Sequence, residues 1–195
     1  MNEPGAPRSA RRRLTHVDRS GRPRMVDVSG KPPTVRRAIA EAEVVVSQDT
    51  LSLVIDGDVP KGDVFTVAEL AGVMGGKRTS ELIPLCHPIP LTDLVVEVTP
   101  DRAASTLRVR ATAATIAQTG VEMEALTAVS VAALTVYDML KGVDRGAEIR
   151  HVRLLEKSGG ASGEWHRPPS TEPSGSGRLP PGTRGPRRTS RRDAR

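Results

Sequence analysis

Four charged side chains interrupt a mostly apolar run at residues 119–142, TGVEMEALTAVSVAALTVYDMLKG. Glu122 and Glu124 open it, and Asp138 and Lys141 stand three residues apart near its end. Carboxylates and an ammonium group in apolar surroundings suit general acid–base chemistry, because burial and mutual contact shift their proton affinities. The plainer alternative is helix-end electrostatics, with acids favoured at the N-terminal end of a helix dipole and a lysine at the C-terminal end.

Other segments carry further candidates. LIPLCHPIPL places Cys86 and His87 between Pro84 and Pro88, on a loop stiffened by proline. His87 suits hydrogen bonding to a substrate, or else to nearby backbone. A metal site is not read, because His16, His151 and His166 are scattered and no CxxC or HxxxH spacing occurs. GVMGGKRTSE at 72–81 resembles a Walker loop only superficially. Three residues separate Gly72 from Gly76, Arg78 follows Lys77, and the segment continues a helical pattern rather than a strand. Lys77 and Arg78 still offer charge-assisted bonds to phosphate. Lys61 in KGD and Lys157 in KSGG each border glycine, where backbone can approach a ligand closely.

These groups need elements to hold them. At about 100° per residue, Leu126, Val129, Ala133, Val136 and Leu140 form one helical stripe, which should face a sheet. Glu124, Ala128, Val131, Thr135 and Asp138 fall opposite, a small, mildly polar face suited to a cleft wall or subunit contact. Residues 34–46 read as a strand, 48–56 as a short helix ended by Gly57, and 63–75 as a helix. LTDLVVEVTP and STLRVRATAATIA read as strands joined by a turn at 100–104, and 147–156 as a final strand followed by the KSGG loop. The order is βαββαβ with an extra helical piece in the first crossover. It predicts an α+β, ferredoxin-like sandwich, an antiparallel sheet with helices on one face.

Composition limits the alternatives. Aromatics make up 2% of the chain, so the core must be built from Val, Leu, Ile and Ala. The formal charge of +6 comes from the ends: residues 1–13 hold four Arg against Glu3, and 167–195 hold eight Arg against Glu172 and Asp193. The intervening 14–166, read as one catalytic domain, is net negative. Both basic tails lack core-forming residues and are read as disordered. The Arg-rich tails suggest nucleic-acid binding as one alternative, against which stands a negative core poor in stacking aromatics, and a non-catalytic scaffold for a partner enzyme is another. A single cysteine, no secretory signal and no stretch approaching a ~20-residue apolar span point to a cytoplasmic protein away from membranes.

LTHVD (14–18), MVDVSGK (25–31), KGDVF (61–65), KRTSELIPLCHPIPL (77–91), TGVEMEALTAVSVAALTVYDMLK (119–141) and VRLLEKSGG (152–160) together resemble the MoaC family. The resemblance implies a lyase, cyclic pyranopterin monophosphate synthase of molybdenum cofactor biosynthesis. Its substrate would be a cyclised dihydro-GTP, rearranged to a pyranopterin with release of pyrophosphate. It also implies a homohexamer, a trimer of dimers, with sites at dimer interfaces; Lys61 and Asp138 could then come from different subunits.

By motif, Asp138, Lys141 and Lys61 would be catalytic. Leu85, Cys86, His87, Met123 and Glu124 would line the substrate site, and Glu122, Lys77 and Lys157 would add contacts. No protein cofactor is implied with certainty; Mg²⁺ could accompany the triphosphate. Two departures stand out. Ala161 occupies a loop position where the family often has a basic residue, which puts one phosphate contact in doubt. Gly75-Gly76 replace common alanines and should loosen that helix end by ~1 kcal/mol each.

Overall fold

The computed structural model describes residues 20–161 and 163–169. Most of both predicted tails, LTHVD and His16 lie outside the described residues.

Strand β1 (Thr34–Val45) leads into helix α1 (Gln48–Asp56), α2 (Val64–Lys77) and the single turn α3 (Thr79–Leu82). Strands β2 (Leu91–Asp101) and β3 (Thr106–Ala117) form a hairpin, followed by helix α4 (Glu122–Leu140), β4 (Glu148–Ser158) and the short β5 (Trp165–His166). The sheet order is β2-β3-β1-β4-β5, with every pair antiparallel. This is the expected ferredoxin-like arrangement with one added edge strand. β4 runs past the predicted end, so Lys157 lies within the strand rather than in the loop after it.

Local chemistry sets the helix ends. Ser47 caps α1 through its hydroxyl, which accepts from Thr50 N, and Gly57 closes the helix in the left-handed conformation. The Asp63 carboxylate accepts from Phe65 N and Thr66 N at the start of α2. α4 has no side-chain cap, and Glu122 and Glu124 occupy its dipole-favoured first turn.

Alanine paves the helix-facing side of the central strands. Ala38 pairs with Ala113 and Ala40 with Ala111, all essentially inaccessible to solvent. Small side chains let α4 approach closely, and Val129, Ala133, Val136 and Leu140 bury their predicted stripe there. α4 meets the length and hydropathy of a membrane span, contrary to the sequence expectation, but over half of it is buried as a core helix.

The opposite stripe of α4 differs from expectation. It is not an open cleft wall along its length, because α2 packs on it. Ala128 is fully buried, and Gly72, Gly75 and Gly76 sit against Ala128, Val131, Ala132 and the Glu124 carbonyl. Nor do the paired glycines fray the helix, since α2 continues through Lys77. Their missing side chains permit the close approach, which offsets their propensity cost.

A Cβ on Gly72 would lie 2.9 Å from Val96 Cγ1, 3.0 Å from the Ala128 carbonyl oxygen and 3.1 Å from Ala132 Cβ. Gly72→Ala should therefore destabilise the fold by about 1–3 kcal/mol through overpacking, despite the ~1 kcal/mol that helix propensity favours alanine. Urea denaturation checks this; unchanged or increased stability would contradict the close-packing account.

Candidate active site

The residues singled out from the sequence separate into two clusters, one at each end of α4. At the N-terminal end, the loop after α3 carries Leu85, Cys86 and His87 against the first turn of the helix. The loop is tied down by Cys86 N donating to Ile83 O at 3.1 Å and by Thr115 Oγ1 donating to Pro90 O at 2.6 Å. Together with Val26, Val28 and Lys31 from the segment before β1, these residues and Glu122, Met123 and Glu124 enclose a cavity of about 370 Å³.

Glu124 is its most unusual member. The residue is 4% exposed, and its Oε2 has no hydrogen-bond partner. Burial pushes its carboxyl above the usual carboxylate range, and neighbouring Glu122 adds repulsion. The Cys86 thiol is also pushed up, by burial first and by Glu124 second. His87 Nε2 donates to the Val26 carbonyl at 2.8 Å, so in the neutral ring Nδ1 is an acceptor. The backbone bond thus claims one nitrogen and leaves the other for a ligand.

Glu122 belongs to two cavities. Lys157 Nζ donates to its Oε1 at 2.9 Å, both side chains being partly buried. Beyond this ion pair lies a second cavity of about 270 Å³, lined by Lys31, Arg36, Arg37 and Lys157 with Ser158, Gly159 and Ala161. Lys31, Thr119, Gly120 and Glu122 line both spaces, so the two adjoin.

Arg36 donates to Gly159 O and Gln118 O, each at 3.3 Å, while its buried Nε has no partner. Gly159 has φ of 95°, and a Cβ there would lie 2.1 Å from Val35 O, so the KSGG turn requires glycine. Arg36, Arg37 and Lys31 were not singled out from the sequence. The available signal for Arg36 and Arg37 was a basic pair near the start of β1. Lys77 is exposed in the last turn of α2 and lines neither cavity.

The remaining cluster lies at the other end of α4. Lys61 Nζ donates to Asp138 Oδ2 at 3.0 Å and to its carbonyl at 2.6 Å, while Lys141 Nζ contacts Oδ1 at 2.6 Å. Hydrogen bonds from Lys141 and then Lys61 hold the Asp138 carboxyl at about 2, and Asp138 raises Lys141 above the ordinary lysine value. All three side chains are about half exposed. Lys61 and Asp138 thus meet within one chain, contrary to the idea that an interface brings them together from two. Fourteen residues of helix separate Glu124 from Asp138, about 21 Å at 1.5 Å per residue. Among the described residues, no group of three metal-ligating side chains occurs.

Fold and cavities together define a ferredoxin-like domain with a candidate small-molecule site, the buried Glu124 carboxyl in one chamber and basic groups in the next. The chain belongs to the MoaC family, whose model matches residues 25–160. It is 54% identical over 159 residues to the cyclic pyranopterin monophosphate synthase of Chloroflexus aurantiacus, covering 82% of this chain and 98% of that protein. Proteins of the same name from Cereibacter sphaeroides and Thermomicrobium roseum are 59% and 56% identical, over 78% and 79% of this chain and 96% and 93% of their own lengths.

Glu124 makes a pH prediction. Its folded-state pKa lies above the ordinary 4.5, so the unfolded chain ionises first and stability falls as pH rises from there. Glu124→Gln should gain thermal stability relative to wild type as pH increases from 4.5 to 8, without ligand. Parallel melting curves across that range would contradict a strained buried carboxyl.

Proposed function

We propose that the chain is a cyclic pyranopterin monophosphate synthase, a lyase of molybdenum cofactor biosynthesis. It converts 3',8-cyclo-7,8-dihydro-GTP to cyclic pyranopterin monophosphate and releases pyrophosphate. The observation that carries this reading is the adjacency of the two cavities. The larger offers carboxyl acceptors, Cys86, Met123 and Leu85 to a guanine-type ring. The smaller offers four cations to a polyphosphate. Lys31, Arg36 and Arg37 supply the charge that Ala161 lacks. The nucleic-acid alternative gains no support, because these basic groups line a pocket rather than a stripe.

Ring opening and reclosure need proton transfers at several atoms. Lys61 and Lys141, oriented by Asp138, carry them. Held by Asp138, Lys141 is charged and acts first as an acid or as an electrostatic partner for developing negative charge. Lys77, exposed in the last turn of α2, lines neither cavity and would reach a phosphate only from outside them. Any Mg²⁺ would arrive on the triphosphate, because the one carboxylate lining the basic cavity, Glu122, is already paired with Lys157. The protein is assigned to the cytoplasm.

The two clusters stand too far apart to serve one compact nucleotide within a single chain. The site is therefore composite: the cavity of one subunit faces the Lys61–Asp138–Lys141 cluster of another, in a homohexamer built as a trimer of dimers. Incubation with the cyclised GTP intermediate, following pterin and pyrophosphate, tests the activity; no turnover by folded protein would overturn it. Asp138→Asn should keep substrate binding and lose turnover by about 10²–10⁴-fold; near-normal turnover would remove Asp138 from the chemistry.

Subunit mixing tests the composite site. Mixing Glu124→Gln with Lys141→Ala subunits should restore about a quarter of wild-type activity when dimers redistribute at random. Mixing Lys61→Ala with Asp138→Ala should restore none, since both residues belong to one cluster. Recovery in the second mixture, or its absence in the first after verified exchange, would contradict the arrangement.

A further inference from the structure

We infer that Asp144 is a positioning residue for the Lys61–Asp138–Lys141 cluster, bracing the turn that carries Lys141 against the start of α1, the helix that leads to Lys61. The inference rests on the reading that this cluster moves the protons, and it adds what holds the cluster in shape.

The cluster is poorly enclosed. Its three side chains are about half exposed, so packing does not fix them, and the backbone segments that carry them must. Asp138 stands on the last turn of α4, but Lys141 lies just past the helix end and Lys61 in the connection before α2. Beyond α4 the chain folds back over that end. Val143 N and Asp144 N both donate to Leu140 O, at 2.9 and 2.8 Å.

Asp144 then ties this turn to a segment 97 residues away in the chain. Its Oδ2 accepts from Ser47 N at 2.8 Å and its Oδ1 from Gly146 N at 2.9 Å. Ser47 is the cap of α1, its hydroxyl accepting from Thr50 N and donating to Thr50 Oγ1. The Ser47 amide holds the Asp144 carboxyl below the usual carboxylate range against the opposing effect of burial, and the Gly146 amide and the Thr50 and Ser47 hydroxyls help. Hydrogen bonds to a charged acceptor of this kind are stronger than neutral ones.

From Ser47 the chain runs through α1, whose Leu51 and Val54 are buried, into a tight connection. There Asp58 N donates to Leu53 O at 2.9 Å, Val59 is buried, and Gly62 N donates to Val59 O at 2.9 Å. Lys61 lies in that last turn. One carboxylate thus couples the two backbone segments that deliver lysines to Asp138.

A misplacement of about 1 Å can cost about 10²-fold in rate. Asp144→Ala should therefore lower kcat by about ten- to a hundredfold. It should leave KM within about twofold, because both cavities lie at the other end of α4. Asp144→Asn, with one acceptor oxygen in place of two, should fall between. The control is Glu69→Ala, which removes a carboxylate that accepts from Val98 N at 3.0 Å but belongs to neither cavity nor cluster; it should keep wild-type kcat.

A second readout needs no substrate. Asp138 raises Lys141 above the ordinary lysine value, so Lys141 reacts slowly with acetic anhydride while the pair is intact. Trace acetylation of the full chain, measured by peptide mass spectrometry relative to Lys77, should speed up about three- to tenfold at Lys141 in both Asp144 variants. Glu69→Ala should leave it unchanged.

Folded Asp144→Ala protein with wild-type kcat, or an equal loss in Glu69→Ala, would overturn the inference and leave the proposed activity standing. Unchanged Lys141 labelling in the Asp144 variants would overturn it even in a protein without turnover, where labelling alone decides. Should Asp144→Ala not fold, Asp144→Asn carries both readouts.

Discussion

Because α4 rises about 1.5 Å per residue, its chemically loaded ends stand about 21 Å apart, and no side chain can bridge them. The helix is a rigid rod, clamped on one side by the alanine-paved strands and on the other by the glycines of α2. That clamping leaves little freedom to bend the ends towards each other, since close-packed interiors resist change. One chain therefore holds a binding chamber and, remote from it, a lysine–aspartate cluster. The proposed composite site would let both act on one molecule.

The two ends have opposite electrostatics, and each follows from its surroundings. At the N-terminal end, burial and a neighbouring carboxylate make Glu124 reluctant to ionise. At the C-terminal end, two lysines in contact with an exposed Asp138 make it an unusually strong acid, fixed as a carboxylate. Groups whose proton affinities are driven apart in this way suit separate tasks. The basic chamber beside Glu122 adds a third environment. Its Arg36 guanidinium is locked to two backbone carbonyls and so is positioned before any anion arrives.

Much of this was legible in the sequence, for identifiable reasons. Alternating strands and capped helices gave the element order, because Ser47, Gly57 and Asp63 mark boundaries through local hydrogen bonds and backbone conformation. Glu122, Glu124, Cys86 and His87 stood out as chemical groups in apolar or proline-stiffened segments. What covers the second face of α4 was not legible from that helix alone, since a small-residue stripe fits an intrachain neighbour as well as a cleft. The signal lay in α2, where Gly72, Gly75 and Gly76 share one helical side. Arg36 and Arg37 were missed because a basic pair at a strand start is ordinarily solvated; only the fold brings them beside Lys31 and Lys157. β5 is two residues long and pairs through register with β4, which no periodicity announces.

The split site is the central claim, and Cys86 as the chain's one cysteine makes it directly measurable. A short thiol-to-amine cross-linker, spanning well under the ~21 Å of helix between the clusters, should be attached to Cys86 at a pH that ionises its raised thiol. Peptide mass spectrometry of the covalent dimer should find Cys86 joined to Lys61 or Lys141 of a second chain. Protein that exchanges and binds substrate normally, yet yields only monomers with Cys86 linked to lysines near its own loop, would contradict it.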